Sequence, residues 1–268
     1  MTSPAGSKAR ATGREGAPRR LGLWRVEWLR LVRSPRGLAL LAVYLLFGAL
    51  GPVMARYMSE ILKHTDSNMT ITVGTPRPVD GITNFLSQVD QTGLVVVVVV
   101  AAGSFCFDAH RGVSTFLRTR VERMTDLLVP RFTVNALAAV AAYTLGTLGA
   151  WYETTLLIGS LPAARMVQGW LCGAVYLVFA VAVVAAAASM ARTVLGTVGI
   201  AVAFLLLLPL AGTVSIVHPW LPSSLATAPV DLLGTAVLGD YLRTLGVAVV
   251  ATAVLLALAV HRLQNREA

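Results

Sequence analysis

Met166–Ala191 reads MVQGWLCGAVYLVFAVAVVAAAASMA, and no residue in it carries a charge. A stretch of about 20 apolar residues matches the hydrocarbon thickness of a bilayer. As a helix it closes all its own backbone hydrogen bonds, which lipid demands because it offers no partner. Five further stretches share this character: Gly37–Ala55, Gln91–Phe107, Phe132–Tyr152, Thr193–Gly212 and Thr244–Val260, none charged across its middle. The six valines Val95–Val100 would suit a buried strand in a soluble protein, but inside so long an apolar run they read as membrane helix. The expected fold is therefore an all-α polytopic membrane protein with six transmembrane helices.

The bulk composition agrees. The chain of 268 residues is 56% hydrophobic and only 13% charged, about half the charged share of soluble domains. The segments between spans are too short to bury a separate core of ordinary domain size. One membrane domain over 35–262 is expected, preceded by a basic tail over 1–19 and an amphipathic segment over 20–34, and followed by a short tail over 263–268. The first of these tails is rich in Gly, Ala, Ser, Pro and Arg and reads as disordered.

The net charge of +9 is placed unevenly. Nine basic residues precede the first span, five lie between the second and third, Arg192 follows the fourth, and Arg262 and Arg266 end the chain. The other side holds Arg56, Lys63, Arg77, Arg165 and Arg243. This bias puts both termini in the cytoplasm, which an even number of spans also requires. The excess fits topology and anionic lipid headgroups; no nucleic-acid reading motif accompanies it. Scarce Lys beside abundant Arg and Ala suggests a GC-rich bacterial source, hence a bacterial cytoplasmic (plasma) membrane.

Two polar segments carry pattern. From Arg20 to Ser34, Leu21, Trp24, Trp28, Leu31 and Val32 share one helical face, opposite Glu27, Arg30 and Arg33. Trp24 and Trp28 with Arg25, Arg30 and Arg33 suit a helix lying in the headgroup region; a cytoplasmic extension of span one is the competing reading. Ser34-Pro35 separates this helix from span one. Between spans two and three, Phe116, Leu117, Val121, Met124 and Leu128 recur at helical spacing beside Arg118, Arg120 and Arg123. That pattern fits either a docking element or a loop helix resting on headgroups. On the far side, Ile82–Val89 fits a short interfacial helix leading into span two, and the Pro-rich 213–240 fits either a re-entrant segment or a surface loop.

Catalytic chemistry is not legible. The chain contains no GxxxxGK[ST], HExxH, CxxC or GxSxG. Cys106 and Cys172 read as small buried hydrophobes, and no metal site is expected. Asp90 and Glu153 fall at span ends and read as interface residues. With no Asp, Glu or His across a span's middle, ion-coupled transport is disfavoured. Gly169 and Gly173 form a GxxxG that permits close helix packing, within or between chains.

In this order, these features resemble the permease subunits of type-2 ATP-binding-cassette (ABC) exporters. The loop FDAHRGVSTFLRTRVERMTDLLVPRF, Phe107–Phe132, carries the likeness, together with LWRVEWLRLVRSPRGL, Leu23–Leu38. Asp108 takes the family's acidic position, Arg111-Gly112 the Arg-Gly pair, Phe116-Leu117 the hydrophobic turn, and Arg120-Val121-Glu122-Arg123 the second basic cluster. Ala109-His110 replace a second acid, and Arg131 stands where the family commonly has Lys.

The resemblance implies a cytoplasmic coupling helix after span two. It implies two permease chains, identical or related, forming the pathway. Two cytoplasmic ATPase subunits would hold ATP and Mg and dock on Asp108, Arg111, Gly112, Phe116, Leu117, Arg118, Arg120, Val121 and Arg123. The chain itself would be no enzyme and carry no cofactor; its other partners are membrane lipids, with no nucleic acid. The apolar spans suggest a hydrophobic or amphipathic cargo. A stand-alone channel or carrier and a non-transporting membrane scaffold subunit are the alternatives.

Overall fold

The computed structural model describes residues 27–29, 33–64, 76–106, 125–191, 193–212 and 220–265. All regular structure in them is helical: α1 (Pro35–His64), α2 (Pro78–Gln88), a π turn (Val89–Gly93), α3 (Leu94–Phe105), α4 (Thr125–Leu157), α5 (Ala163–Met190), α6 (Val194–Ala211), α7 (Ser224–Leu233) and α8 (Leu238–Asn265). Six helices among the described residues are long and apolar enough to cross a membrane, with α2, the π turn and α3 acting as one of them.

α5 is the pillar of the bundle. Its apolar window is 72% buried by the rest of the chain, against 17% for α6 and for α8. It packs against α3, α4, α6, α7 and α8, while α1 runs along α4. Lipid supplies no hydrophobic drive for helices to associate, so close backbone approach and van der Waals contact must hold them. Gly48 and Gly146 provide such an approach: a Cβ on Gly48 would lie 2.5 Å from the Gly146 carbonyl oxygen. In α5, a Cβ on Gly169 would lie 2.7 Å from Pro229 Cα, and one on Gly173 would strike the Tyr143 hydroxyl. The GxxxG is thus used inside the chain.

Two ends of the bundle can be told apart. At the base, Cys106 Sγ lies 3.3 Å from Thr197 Oγ1 near the start of α6. There α4 and α8 enclose an apolar groove of about 570 Å³ between Thr125, Leu128 and Phe132 on one wall and Val260, His261 and Gln264 on the other. At the opposite end, a Cβ on Gly81 would meet Thr154, and Arg165 Nη1 donates to the Gly234 carbonyl at 2.6 Å.

The second span corrects the sequence reading. Instead of an interfacial helix over Ile82–Val89 followed by a span from Gln91, one continuous helical run extends from Pro78 to Phe105. Pro78 opens it, and the Asp80 carboxylate accepts the Arg77 backbone N–H at 2.8 Å, closing the first turn. Ile82, Phe85 and Leu86 then bury against the bundle, so tertiary contact carries the helix outward past its most apolar stretch. Glu153 likewise lies inside α4, which runs on to Leu157, with Oε2 buried and without a hydrogen-bond partner.

Within 213–240, Ser224–Leu233 forms the short helix α7. It buries Leu225, Ala228, Leu232 and Leu233, and its Pro229 seats against Gly169, two turns into α5. This helix is packed into the end of the bundle opposite the base.

Candidate functional site

Span two contains a carboxylate. Asp90 stands about 18 Å along the helix from Pro78 and about 22 Å from Phe105, at 1.5 Å per residue. Asp90 thus falls inside the second candidate span rather than just before it. Asp90 belongs to the π turn, where the Leu94 N–H reaches back to the Val89 carbonyl. Such a turn inserts a residue into the helical register and recurs at functional sites.

Three tyrosines are buried in neighbouring spans. Tyr44, Tyr143 and Tyr176 each stand near the middle of a span, in α1, α4 and α5. All three are buried, and Tyr44 is wholly inaccessible. Tyr44 and Tyr143 pack edge to face with centroids 6.5 Å apart, and Tyr143 stacks on Phe85 at 6.4 Å. Gly93 makes room for Tyr44: a Cβ there would lie 3.3 Å from the phenolic oxygen. That oxygen is buried without a hydrogen-bond partner. Asp90 itself is half-buried, and Gly93 in the same π turn packs against Tyr44.

The outward face of the same span is polar. Thr83, Ser87, Gln91 and Thr92 are exposed along α2 and the π turn, whereas Val95 and Val99 continue that face toward the base. Thr83 Oγ1 donates to the Val79 carbonyl at 2.9 Å, and Ser87 Oγ to the Asn84 carbonyl at 2.9 Å. An amide and a carboxylate at mid-depth are costly against lipid and are found facing protein or water.

The base holds a second polar constellation. Arg131, in the second turn of α4, is only 5% exposed. Its Nε donates to Glu27 Oε1 at 2.9 Å and its Nη1 to the Ser104 carbonyl at 2.9 Å. Asn135 Nδ2 donates to the Arg131 carbonyl at 2.8 Å, while Asn135 Oδ1 is buried without a partner. Arg36 Nη1 reaches the Gly103 carbonyl at 3.3 Å. Glu27, Arg36, Ser104 and Asn135 border a cavity of about 310 Å³ beside it. A buried guanidinium is tolerable only when paired and hydrogen-bonded, and the fork of Arg meets both an acid and a carbonyl here. The cluster clamps 27–29, the end of α3 and the start of α4 together, so it fixes both ends of the 107–124 connection.

No family model matches the chain, and no solved structure does. The chain is similar to the uncharacterized transmembrane protein YxlG of Bacillus subtilis (strain 168), 22% identical over 177 residues, which cover 65% of this chain and 69% of that protein. The protein is a multi-pass membrane protein. That follows from its six apolar helices and agrees with the name of its relative.

The proposed docking residues, Asp108, Arg111, Gly112, Phe116, Leu117, Arg118, Arg120, Val121 and Arg123, lie outside the described residues, as do Trp24, Arg25 and Arg30 of the interfacial segment. Trp28 is helical and 45% exposed, and Arg33 is exposed in a turn. Among the described residues no three His, Cys, Asp or Glu side chains gather as a metal site. The sequence reading missed Tyr44, Asp90, Tyr143 and Tyr176 because they come from four distant stretches. The available signal was the polar run Gln88–Thr92 abutting the valines.

Proposed function

We propose that this protein is the transmembrane permease subunit of an ATP-driven ABC exporter, working as a dimer on two separate cytoplasmic ATPase subunits. The observation that carries the transport reading is the polar outward face of span two, Ser87–Thr92, at a depth where lipid cannot satisfy it. A second permease chain placed there would enclose a hydrophilic path. The ATPase partnership rests on the resemblance of the 107–132 loop to the type-2 family. The clamp of Arg131 on Glu27 and Ser104 supports it mechanically, since a lever transmits force only if its root is held. Arg36 and Arg131 at the base favour a cytoplasmic base under the positive-inside rule, and a bacterial plasma membrane follows from the same reading.

Two experiments test this. With Cys106 and Cys172 replaced, Gln91→Cys should react with a membrane-impermeant maleimide in intact cells or inverted vesicles, while Val250→Cys on the lipid-facing side of α8 should not. Equal protection of both sites would remove the hydrophilic path. Phe116→Ala with Leu117→Ala should leave membrane insertion intact while the partner's ATP hydrolysis no longer drives transport. Undiminished coupled transport in that double variant would remove the docking assignment.

Asp90 favours a second reading. A mid-span carboxylate is what an ion-coupled carrier needs, so a stand-alone carrier regains ground. Solute movement by the purified chain in liposomes without any ATPase would select it.

A further inference from the structure

We propose that the polar cavity at the base, bordered by Glu27, Arg36, Gly103, Ser104 and Asn135, binds the headgroup of phosphatidylglycerol, with the phosphate at the mouth on Arg36 and the glycerol hydroxyls inward on Asn135. The site stands apart from the question of what the protein transports.

Asn135 marks the cavity as a place for a ligand. It is 6% exposed, its Nδ2 is committed to the Arg131 carbonyl, and its Oδ1 is buried without a partner. A buried acceptor left unmet is costly, so an incoming donor is favoured. One water would meet it, but about 310 Å³ has room for roughly ten. At the mouth, Arg36 is exposed and donates one N–H to the Gly103 carbonyl at 3.3 Å. Only glycine allows this approach, because a Cβ at position 103 would lie 2.6 Å from Arg36 Nη1. The acid of the cluster, Glu27, is taken by Arg131, which leaves the rest of the Arg36 fork for a phosphate.

Depth and charge select a lipid. Arg36 is the second residue of span one and Ser104 the last but one of span two, which is headgroup level. Pro35, at the cavity edge, shares its helical face with Leu38 and Leu46, both exposed. Acyl chains therefore have an apolar surface to follow from the same mouth. Two guanidiniums, Arg36 and Arg131, against the one carboxylate Glu27 leave the cluster positive. That favours a net anionic head over the zwitterionic phosphatidylethanolamine. The inner wall offers acceptors, Asn135 Oδ1 and the Glu27 carboxylate, so the head must carry donors beyond its phosphate. The glycerol hydroxyls are such donors.

The test uses the full chain in a neutral maltoside detergent, titrated with short-chain phosphatidylglycerol and followed by thermal stabilisation. The wild type should be stabilised in a saturable manner. Phosphatidylmethanol, which keeps the charge and lacks the hydroxyls, should bind about fivefold more weakly. Arg36→Ala should weaken both lipids by about tenfold. Asn135→Ala should remove the preference for phosphatidylglycerol over phosphatidylmethanol, whereas a purely structural loss would weaken both alike and keep it. Arg165→Ala, which removes a carbonyl contact at the opposite end, should leave both affinities unchanged. No saturable binding, equal affinity in the wild type and Arg36→Ala, or a preference that survives Asn135→Ala overturns the proposal. If Asn135→Ala does not fold, Arg36→Ala and the wild-type preference still decide. Phosphatidylethanolamine or free glycerophosphate binding as tightly as phosphatidylglycerol overturns the choice of an anionic lipid.

Discussion

Gly48→Leu should abolish correct docking of α1 on α4 and lower stability by about 3 kcal/mol or more. A Cβ at position 48 would lie 2.5 Å from the Gly146 carbonyl oxygen and 3.2 Å from its Cα. The obstacle is backbone, so no rotamer change relieves it. The helices must separate, and every contact along their shared face weakens, because dispersion falls steeply with a gap of even half an ångström. The tyrosine layer would suffer next, since a Cβ on Gly146 would in turn lie 2.7 Å from the Tyr44 carbonyl. The measurement is unfolding in mild detergent or lipid, together with the yield of monodisperse protein. Gly149→Leu is the control: it sits on α4 beside Gly146, with nothing within 4 Å of its added Cβ. Equal stability of the Gly48 and Gly149 variants would show that the close approach does not hold the bundle.

Arg131→Ala has the second large effect, a loss of about 3–5 kcal/mol, because removing one partner of a buried pair strands the other. Glu27 would keep a charge in a site where its side chain is only 15% exposed, and the Ser104 carbonyl would lose its donor. Arg131→Lys should recover part of the loss. A single ammonium keeps the charge, but it cannot span the acid and the carbonyl as the guanidinium fork does. Arg36→Ala, which removes an exposed 3.3 Å contact to Gly103, should cost less than about 1 kcal/mol. Chemical unfolding followed by Trp fluorescence reports these values, and limited proteolysis near residue 27 reports release of the N-terminal segment. If Arg131→Ala is no worse than Arg36→Ala, the clamp is ornamental and the mechanical support it lends to the docking loop disappears.

The contrast between these two positions shows what could be read early. Arg131 was visible as a basic residue re-entering span three, and Glu27 as an acid among basic and apolar neighbours, yet nothing in either stretch joins them. Their pairing spans 104 positions and exists only because the fold brings residue 27 to the first turns of α4. Gly169 was legible as a small residue suited to close packing, but its partner, Pro229, was not. Asp90 was misplaced for a physical reason. Hydropathy sees one segment at a time, and the polar stretch Gln88–Thr92 interrupts the apolar run. The helix continues across it because Ile82, Phe85 and Leu86 find a surface on other spans.

By itself, the sequence determined the membrane class, the six crossings and the charge bias of the connecting segments. Those follow from lengths of uncharged chain and from the cost of exposing backbone to hydrocarbon, which are local properties. The tertiary structure alone decided the reach of span two, the place of Asp90 within it, the packing of Tyr44 against Tyr143 and the Arg131 clamp. Each depends on groups from distant stretches meeting at one depth, and that meeting is set by which glycines let helices touch.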